Sequence, residues 1–357
     1  MKSVYIHIPF CDSICSYCDF TKMYYDSSFV NSYLHSLKKE IEERYGGNKV
    51  YTLYVGGGSP SCLNINELIY LFEIISKLDL SELQEFTFEC NIENLDMEKL
   101  ILLKKHGVNR LSIGIQSFNE NILNTLGIKR DRNKTFEMLD FINQVGFYNV
   151  NLDLIYAVPN QTLEDLNKDL DIFLSLNPNH ISCYSLMIEP HTKLYIKKTK
   201  SVDEELDYEM YKLIEDRLTS YGYNHYEISN YSKPNYESKH NLVYWNNLEY
   251  YGFGLSASSY LDGIRLDNTK SLNRYLDNNF IDNYIDVSEN EIKYGLMLGF
   301  RKLDGINIKE FNERYNTNII SLLNNLVNDN KLIIEDGFIK IHDDWIYKMN
   351  EILTDII

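Results

Sequence analysis

From residue 4 to residue 221 the chain alternates short β-prone runs with longer segments of helical period, and few folds accept that order. The β-prone runs are 4–9, 50–55, 85–91, 110–116, 149–158 and 180–188, and between and after them lie helix-period segments at 29–45, 67–78, 97–106, 134–145, 163–176 and 204–221. Gly or Asn follows several of these segments as a stop signal. Strands joined by helical crossovers run in the same direction, so the series implies a parallel sheet with right-handed connections. The runs read as lacking strict alternation of apolar and polar residues. Such a sheet is expected to be covered by helices and to curl into a full or partial parallel (β/α) barrel, an α/β fold. Binding and catalytic groups of a barrel lie at the C-terminal ends of its strands. Cys11, residues 56–60, Glu89, Asn91 and Gln116 fall at those ends and Asp153 within the fifth run, so all are expected to converge on one rim.

After 204–221 the period is lost in an aromatic, Gly-containing stretch, and from Ser288 onward helical segments resume. The run LIIEDGFIKI then reads as two strands around an Asp-Gly turn. The expected organisation is a barrel over 1–235, a connecting segment over 236–285, and a small helical, winged-helix-like domain over 286–357. The 52 acidic against 35 basic side chains give a formal charge of -17. That charge repels phosphate backbones and anionic headgroups, so nucleic acid is not an expected partner. No stretch matches a signal peptide or the ~20 apolar residues of a membrane span, and a cytoplasmic location is expected.

In a reducing compartment six cysteines do not form a disulfide framework. Cys62, Cys90 and Cys183 are scattered and read as small buried hydrophobes, whereas Cys11, Cys15 and Cys18 share one short loop after the first strand. Three thiolates so placed can each bind one iron of a [4Fe-4S] cube and leave the fourth iron open to a ligand. The alternative is a structural zinc site of Cys₃His type, completed by His7 or a more distant His. Zinc loops usually bring two Cys pairs, and the second pair is missing, which favours the cluster.

The motif CxxxCxxC is accompanied, in order, by YIHIPFC, YCDF, GGGSPS, GIQSF, NLDLIYAVP, YEISNYSKP and HNLVYW. Together these resemble the radical-SAM superfamily. The likeness is to the HemN-like branch that holds oxygen-independent coproporphyrinogen III dehydrogenases and related haem chaperones, and it spans nearly the whole chain. The resemblance implies a [4Fe-4S] cluster on Cys11, Cys15 and Cys18, S-adenosyl-L-methionine (SAM) chelated by the open iron, and reductive cleavage of SAM to a 5'-deoxyadenosyl radical. The dehydrogenases are expected to carry a further Cys two residues after the third; this chain has Phe20 there. The segment from His240 to Trp245 matches the HNxxYW motif associated with the chaperones. Both differences imply a haem chaperone. The alternative is the dehydrogenase, which decarboxylates two propionates oxidatively; with Phe20 in place that activity is not expected.

Carried over residue by residue, the resemblance places SAM contacts at Tyr5, Tyr17, Gly57, Gly58, Ser59, Glu89, Gln116 and Asp153. Gly56, Gly57 and Gly58 form a turn where missing Cβ atoms let the backbone approach the cofactor. Glu89, Gln116 and Asp153 suit hydrogen bonds to its amino or ribose groups; alternatively the buried carboxylates are structural partners of Arg110 or Lys105. Two positions depart from the pattern. Ile128 stands where the family has Arg, with Lys129 and Arg130 beside it, and Ser258 stands where His is usual. His240 is the candidate haem ligand, because imidazole is the commonest protein ligand of haem iron and Tyr244 and Trp245 offer flat rings. The other reading is a packed corner, with His7, His180, His191 and His225 as competing ligands. The implied partners are haem and haem-accepting respiratory proteins, with peripheral membrane contact through those acceptors and a homodimer as further expectations.

Overall fold

Each of the six β-prone runs forms a strand in a computed structural model that describes residues 1–356. They are β1 (Lys2–Ile8), β2 (Val50–Gly57), β3 (Glu85–Asn91), β4 (Arg110–Gln116), β5 (Asn149–Tyr156) and β6 (His180–Ser185), and consecutive members pair in parallel. The crossovers carry α1 (Ser27–Arg44), α2 (Ile65–Ile75), α3 (Met97–Lys105), α4 (Arg132–Val145) and α5 (Leu163–Leu176), and α6 (Glu204–Ser220) follows β6. Local signals set the helix ends. Asn64 and Glu67 close a capping box on α2, Thr162 and Asp165 close one on α5, and α4 runs from the Asp131 cap to Gly146 at φ 87°.

The sheet does not end with β6. β7 (Asn224–Glu227) and β8 (Asn230–Ser232) extend it antiparallel beyond β6. At the other edge, β9 (Tyr250–Phe253) pairs in parallel with β1, and β10 (Ser258–Leu261), β11 (Ile264–Asn268) and β12 (Ile281–Asp286) follow as an antiparallel meander. The order is β12-β11-β10-β9-β1-β2-β3-β4-β5-β6-β8-β7, with β12 and β7 as unjoined edges, so the barrel is partial. Residues 250–286 therefore belong to the same sheet as the first strand.

The expectation of non-alternating strands is overturned. Val4, Ile6, Ile8, Leu53, Val55, Phe86, Phe88, Leu111, Ile113, Leu152, Leu154 and Ile181 pack outward in one core with Val30, Leu34, Leu37, Leu68 and Leu71 of the helices. The residues between them face a polar lumen: Ser3, Thr52, Tyr54, Glu89, Ser112, Asn151, Asp153, His180 and Ser182 are joined there by hydrogen bonds. A strand with helices on one side and a hydrated lumen on the other needs a period of two, as any half-buried strand does.

The C-terminal part carries a three-stranded antiparallel sheet of Ile306–Asn307, Phe338–Ile341 and Leu332–Glu335. Asp336 and Gly337, at φ 48° and 83°, make the hairpin turn read from the sequence. Tyr347 packs on Tyr208 and Tyr211 of α6, and Leu303 donates to the carbonyl of Tyr226, which ties this part to the barrel. Among the described residues no helix is long and apolar enough to cross a membrane.

Glu40 locks α1 to the added strands. Its side chain is fully buried and accepts from Tyr275 Oη at 2.6 Å, Asn268 Nδ2 at 2.6 Å and the Gly254 amide at 2.8 Å, and it pairs with Arg44. Burial pushes its carboxyl pKa up, against the pull of Arg44. Removing one partner of such a buried network costs roughly 3–5 kcal/mol. Glu40→Ala is expected to lower unfolding stability by that order, read as a shift of the urea midpoint, and Glu40→Gln, which keeps the shape, by less.

Candidate functional site

The three-cysteine loop leaves β1 and comes back to it. Phe10–Cys11 and Met23–Tyr24 pair as a short parallel ladder, so residues 12–22 form a closed excursion at the C-terminal end of β1. The excursion is tied down from several sides. The Ser16 amide donates to Leu126 O at 2.7 Å, the Leu194 amide to Ser16 O at 3.0 Å, and Lys193 Nζ to Ile14 O at 2.9 Å. His7 Nε2 meets Thr21 O at 2.9 Å, and Lys22 donates to the carbonyl of Cys18. All six cysteines are free thiols.

Cys11 is buried, and Cys15 and Cys18 are half-buried beside it. Burial, then the neighbouring Cys18 and Cys15, push the Cys11 thiol up to about 12; burial and Cys18 raise Cys15, opposed by Arg130. Thiols raised in this way, as Cys11 and Cys15 are, become good donors once a cation sits beside them, since a bound metal deprotonates its thiols. Among the described residues no three His, Cys, Asp or Glu side chains are gathered into a metal-ion site, so the fit to an iron-sulfur cluster rests on the chemistry of three thiols on one loop. Cys62 lies nearer than its sequence position implied: its thiol is raised by burial, by Asp12 and by Cys11.

The glycine turn after β2 is a close-packed rim. A Cβ on Gly56 would lie 2.7 Å from the Glu89 carboxyl carbon, one on Gly57 would lie 2.8 Å from His7 Nδ1, and one on Gly58 would meet Phe10 O at 2.7 Å and Cys11 Sγ at 2.8 Å. Gly57 also has φ 126°, a conformation L side chains rarely adopt. The Gly58 amide donates to Ile8 O at 2.9 Å and the Ser59 amide to Phe10 O at 2.8 Å, which fixes this turn to the first Cys. Ser59 Oγ faces Ser61 Oγ at 3.1 Å.

Glu89 accepts from Tyr54 Oη at 2.6 Å and from the Gly57 amide at 3.0 Å, and burial pushes its carboxyl up to about 7. Asp153 accepts from Asn151 Nδ2 at 2.7 Å and is also raised by burial. Neither carboxylate pairs with Arg110 or Lys105. Gln116 ends β4 at φ 64°, after a register shift against β5, and lies buried over the carbonyls of Gly114 and Ile115. Tyr5 Oη meets His7 Nδ1 at 2.9 Å, and burial raises its hydroxyl pKa, with the Glu89 charge adding to it. Tyr17 packs beside an apolar cluster that includes Leu126, Ile155 and Leu194, and its hydroxyl is raised by burial and by Cys15 and Cys18.

Sequence reasoning left one feature open, whether Lys129 or Arg130 takes the place of the Arg that Ile128 replaces, and missed another, the role of His7. Ile128 joins the apolar cluster around Tyr17, whereas Arg130 turns inward, donates to Gly114 O at 3.0 Å and to Ile115 O, and pairs with Glu93. The signal lay in the neighbouring cations, and the carbonyls of Gly114 and Ile115 together with Glu93 are what Arg130 meets. His7 was considered only as a metal ligand; it bridges Tyr5 to the cluster loop.

The HNxxYW segment is α7 (Lys239–Trp245), held by Glu85, which accepts the amides of Lys239 at 3.0 Å and His240 at 3.1 Å. His240 is 1% exposed; its Nδ1 faces Thr52 Oγ1 at 2.7 Å and its Nε2 faces Tyr244 Oη at 2.8 Å. Burial and then Arg110 lower its pKa to about 3. Both ring nitrogens are engaged, so of the two readings of His240 the packed corner describes the structure. Tyr244 also lines a cavity of ≈ 350 Å³ beside the cluster loop, with Tyr5, His7, Phe20, Ser258 and Lys270 on its walls. Phe20, 69% exposed, and Ser258 thus face the same cavity although they are far apart in sequence.

Residues 5–173 match the family model described as the Radical SAM superfamily. A protein named Heme chaperone HemW from Bacillus subtilis is 36% identical, with 97% of this chain and 95% of the relative covered. The Heme chaperone HemW of Lactococcus lactis is 38% identical over 88% of this chain and 85% of its own, and that of Escherichia coli 31% identical over 87% and 85%. Among solved structures, coproporphyrinogen III oxidase (HemN) from Escherichia coli, described as a radical SAM enzyme, superposes with a TM-score of 0.86 at 22% identity, covering 99% of this chain and 89% of that one. That likeness shows a shared fold.

Cys11→Ala, Cys15→Ala or Cys18→Ala is expected to reduce iron and sulfide to near background in anaerobically reconstituted protein, while Cys183→Ala keeps both. Gly58→Ala, whose new methyl meets a backbone carbonyl and the first Cys, is expected to lower iron content several-fold without removing a ligand.

Proposed function

The chain belongs to the HemW heme-chaperone family of the radical SAM superfamily, and on that footing we propose that it binds haem and hands it to acceptor proteins. It carries the [4Fe-4S] cluster and SAM of its superfamily. We assign the cluster to Cys11, Cys15 and Cys18, and SAM to Tyr5, Tyr17, Gly57, Gly58, Ser59, Glu89, Gln116 and Asp153. Arg130 joins this set because its guanidinium lies at the end of β4 beside Gln116. When bound, cluster and SAM supply one-electron chemistry. The protein's own groups do the holding: the glycine rim lets backbone approach, Glu89 and Asp153 offer acceptors, and Arg130 offsets the charge of Cys15.

The observation that carries the chaperone reading is Phe20. At the position where the dehydrogenases are expected to have a further Cys, this chain presents an exposed aromatic ring to a cavity walled by Tyr5 and Tyr244, with Lys270 also in its lining. Flat rings suit a porphyrin face and a cation suits a propionate. The acceptors we expect are haem-requiring respiratory proteins, reached at the membrane face through contact with them, with a homodimer as the resting form. The second reading, coproporphyrinogen III dehydrogenase, draws only on the shared fold.

Anaerobic titration of the reconstituted protein separates the two. Haem is expected to bind saturably with a shifted Soret band, and coproporphyrinogen III is expected to yield no more protoporphyrinogen IX than a Cys15→Ala control. Sustained product formation with SAM consumption would sink the chaperone reading in favour of the enzyme.

A further inference from the structure

We propose that Arg110 anchors a carboxylate of a ligand that enters the barrel lumen. Arg110 opens β4 on the lumen face and is 2% exposed. Its charge is felt across the lumen, since it lowers the pKa values of His180 and His240 and pulls against burial at Glu89, Asp153 and Tyr54. Yet among the described residues the guanidinium makes no hydrogen bond or ion pair, and its buried Nε has no partner.

The lumen acids are committed elsewhere. Glu85 is taken by the first amides of α7, Glu89 by Tyr54 and the Gly57 amide, and Asp153 by Asn151. A guanidinium buried without partners is costly, and cations so placed are normally paired. A carboxylate brought by a ligand meets the planar fork through two parallel charge-assisted hydrogen bonds. The lumen gives it room. Tyr184, on the lumen face of β6, keeps 43% exposure, and Tyr54, Glu89 and Asp153 are only half-buried although they sit inside the barrel. Tyr54 and Tyr226, both within reach of the Arg110 charge, and Tyr184 put aromatic rings on the same lumen face, so the fitting ligand has a carboxylate on a flat apolar body.

That chemistry has two sources: a haem propionate, which rests on the chaperone reading, and the carboxylate of SAM, which does not. The test uses full-length, cluster-loaded protein titrated with haem, with haem dimethyl ester, and separately with SAM. Arg110→Gln removes the charge; Arg110→Lys keeps it without the fork and serves where the Gln variant fails to fold, as judged by circular dichroism. A single charge-assisted anchor is worth roughly tenfold or more in affinity. With a propionate as the source, the wild type prefers haem to its ester by that factor, Arg110→Gln binds both at the ester's affinity, and Arg110→Lys falls between. If the variants instead weaken SAM binding while the preference for haem over ester persists, the anchor stands with SAM as its carboxylate. A folded variant with unchanged haem preference and unchanged SAM affinity overturns the proposal. A wild type that binds no haem ends the chaperone reading while the SAM titration still decides the role of Arg110.

Discussion

Every feature of the site depends on parallel strands that send apolar side chains to the helices and polar ones to the lumen. Parallel pairing places the C-terminal ends of β1 to β4 at one rim, so the cluster loop, the glycine turn, Glu89 and Gln116 become neighbours without any sequence proximity. The outward face carries the hydrophobic core, with Phe86, Phe88, Leu111 and Ile113 buried completely. The inward face is thereby free to hold Ser, Thr, Asn, His and carboxylates in small hydrogen-bonded groups. A lumen filled with leucine and valine would be the more stable barrel, but it would hold no ligand.

The rim is built by close approach. With hydrogen in place of Cβ, Gly56, Gly57 and Gly58 lie against Glu89, His7 and Cys11 in turn, so one turn positions the acid, the bridging histidine and the first thiol. Backbone hydrogen bonds from Gly58 and Ser59 to Ile8 and Phe10 make this arrangement rigid. The cluster loop then adds ties to the short helix Glu120–Leu126 and to the segment around Lys193, which follow β4 and β6 in the chain. The loop that carries the three thiols is thereby tied to the barrel on several sides, which lowers the ordering cost of drawing them onto a metal.

The HNxxYW segment shows how a signature serves structure and site together. His240 is spent on Thr52 and Tyr244, and this bond orients Tyr244 toward the cavity that Phe20 and Ser258 share. Phe20, which distinguishes this chain from the pattern expected of the dehydrogenases, and Ser258, one of the two departures noted above, thus meet in one cavity, while the other departure, Ile128, lies in the apolar cluster around Tyr17.

The sequence by itself determined the β/α order, the parallel direction of the six strands, the Gly and Asn stops after helices, the Asp-Gly hairpin and the one short loop that carries Cys11, Cys15 and Cys18. These are local: they follow from hydrophobic period, turn chemistry and short spacing. Tertiary structure decided which face of each strand is which, and it showed a strict alternation that reading along the chain had missed. It also decided that residues 250–286 rejoin β1, that Arg130 and not Ile128 reaches the end of β4, that both nitrogens of His240 are taken, and that Arg110 lies buried without a partner among the described residues. Each of these depends on contacts between residues far apart in the chain. Local propensity carries no information about them, because the free energy that selects them comes from packing and from pairing polar groups that meet only after the sheet has formed.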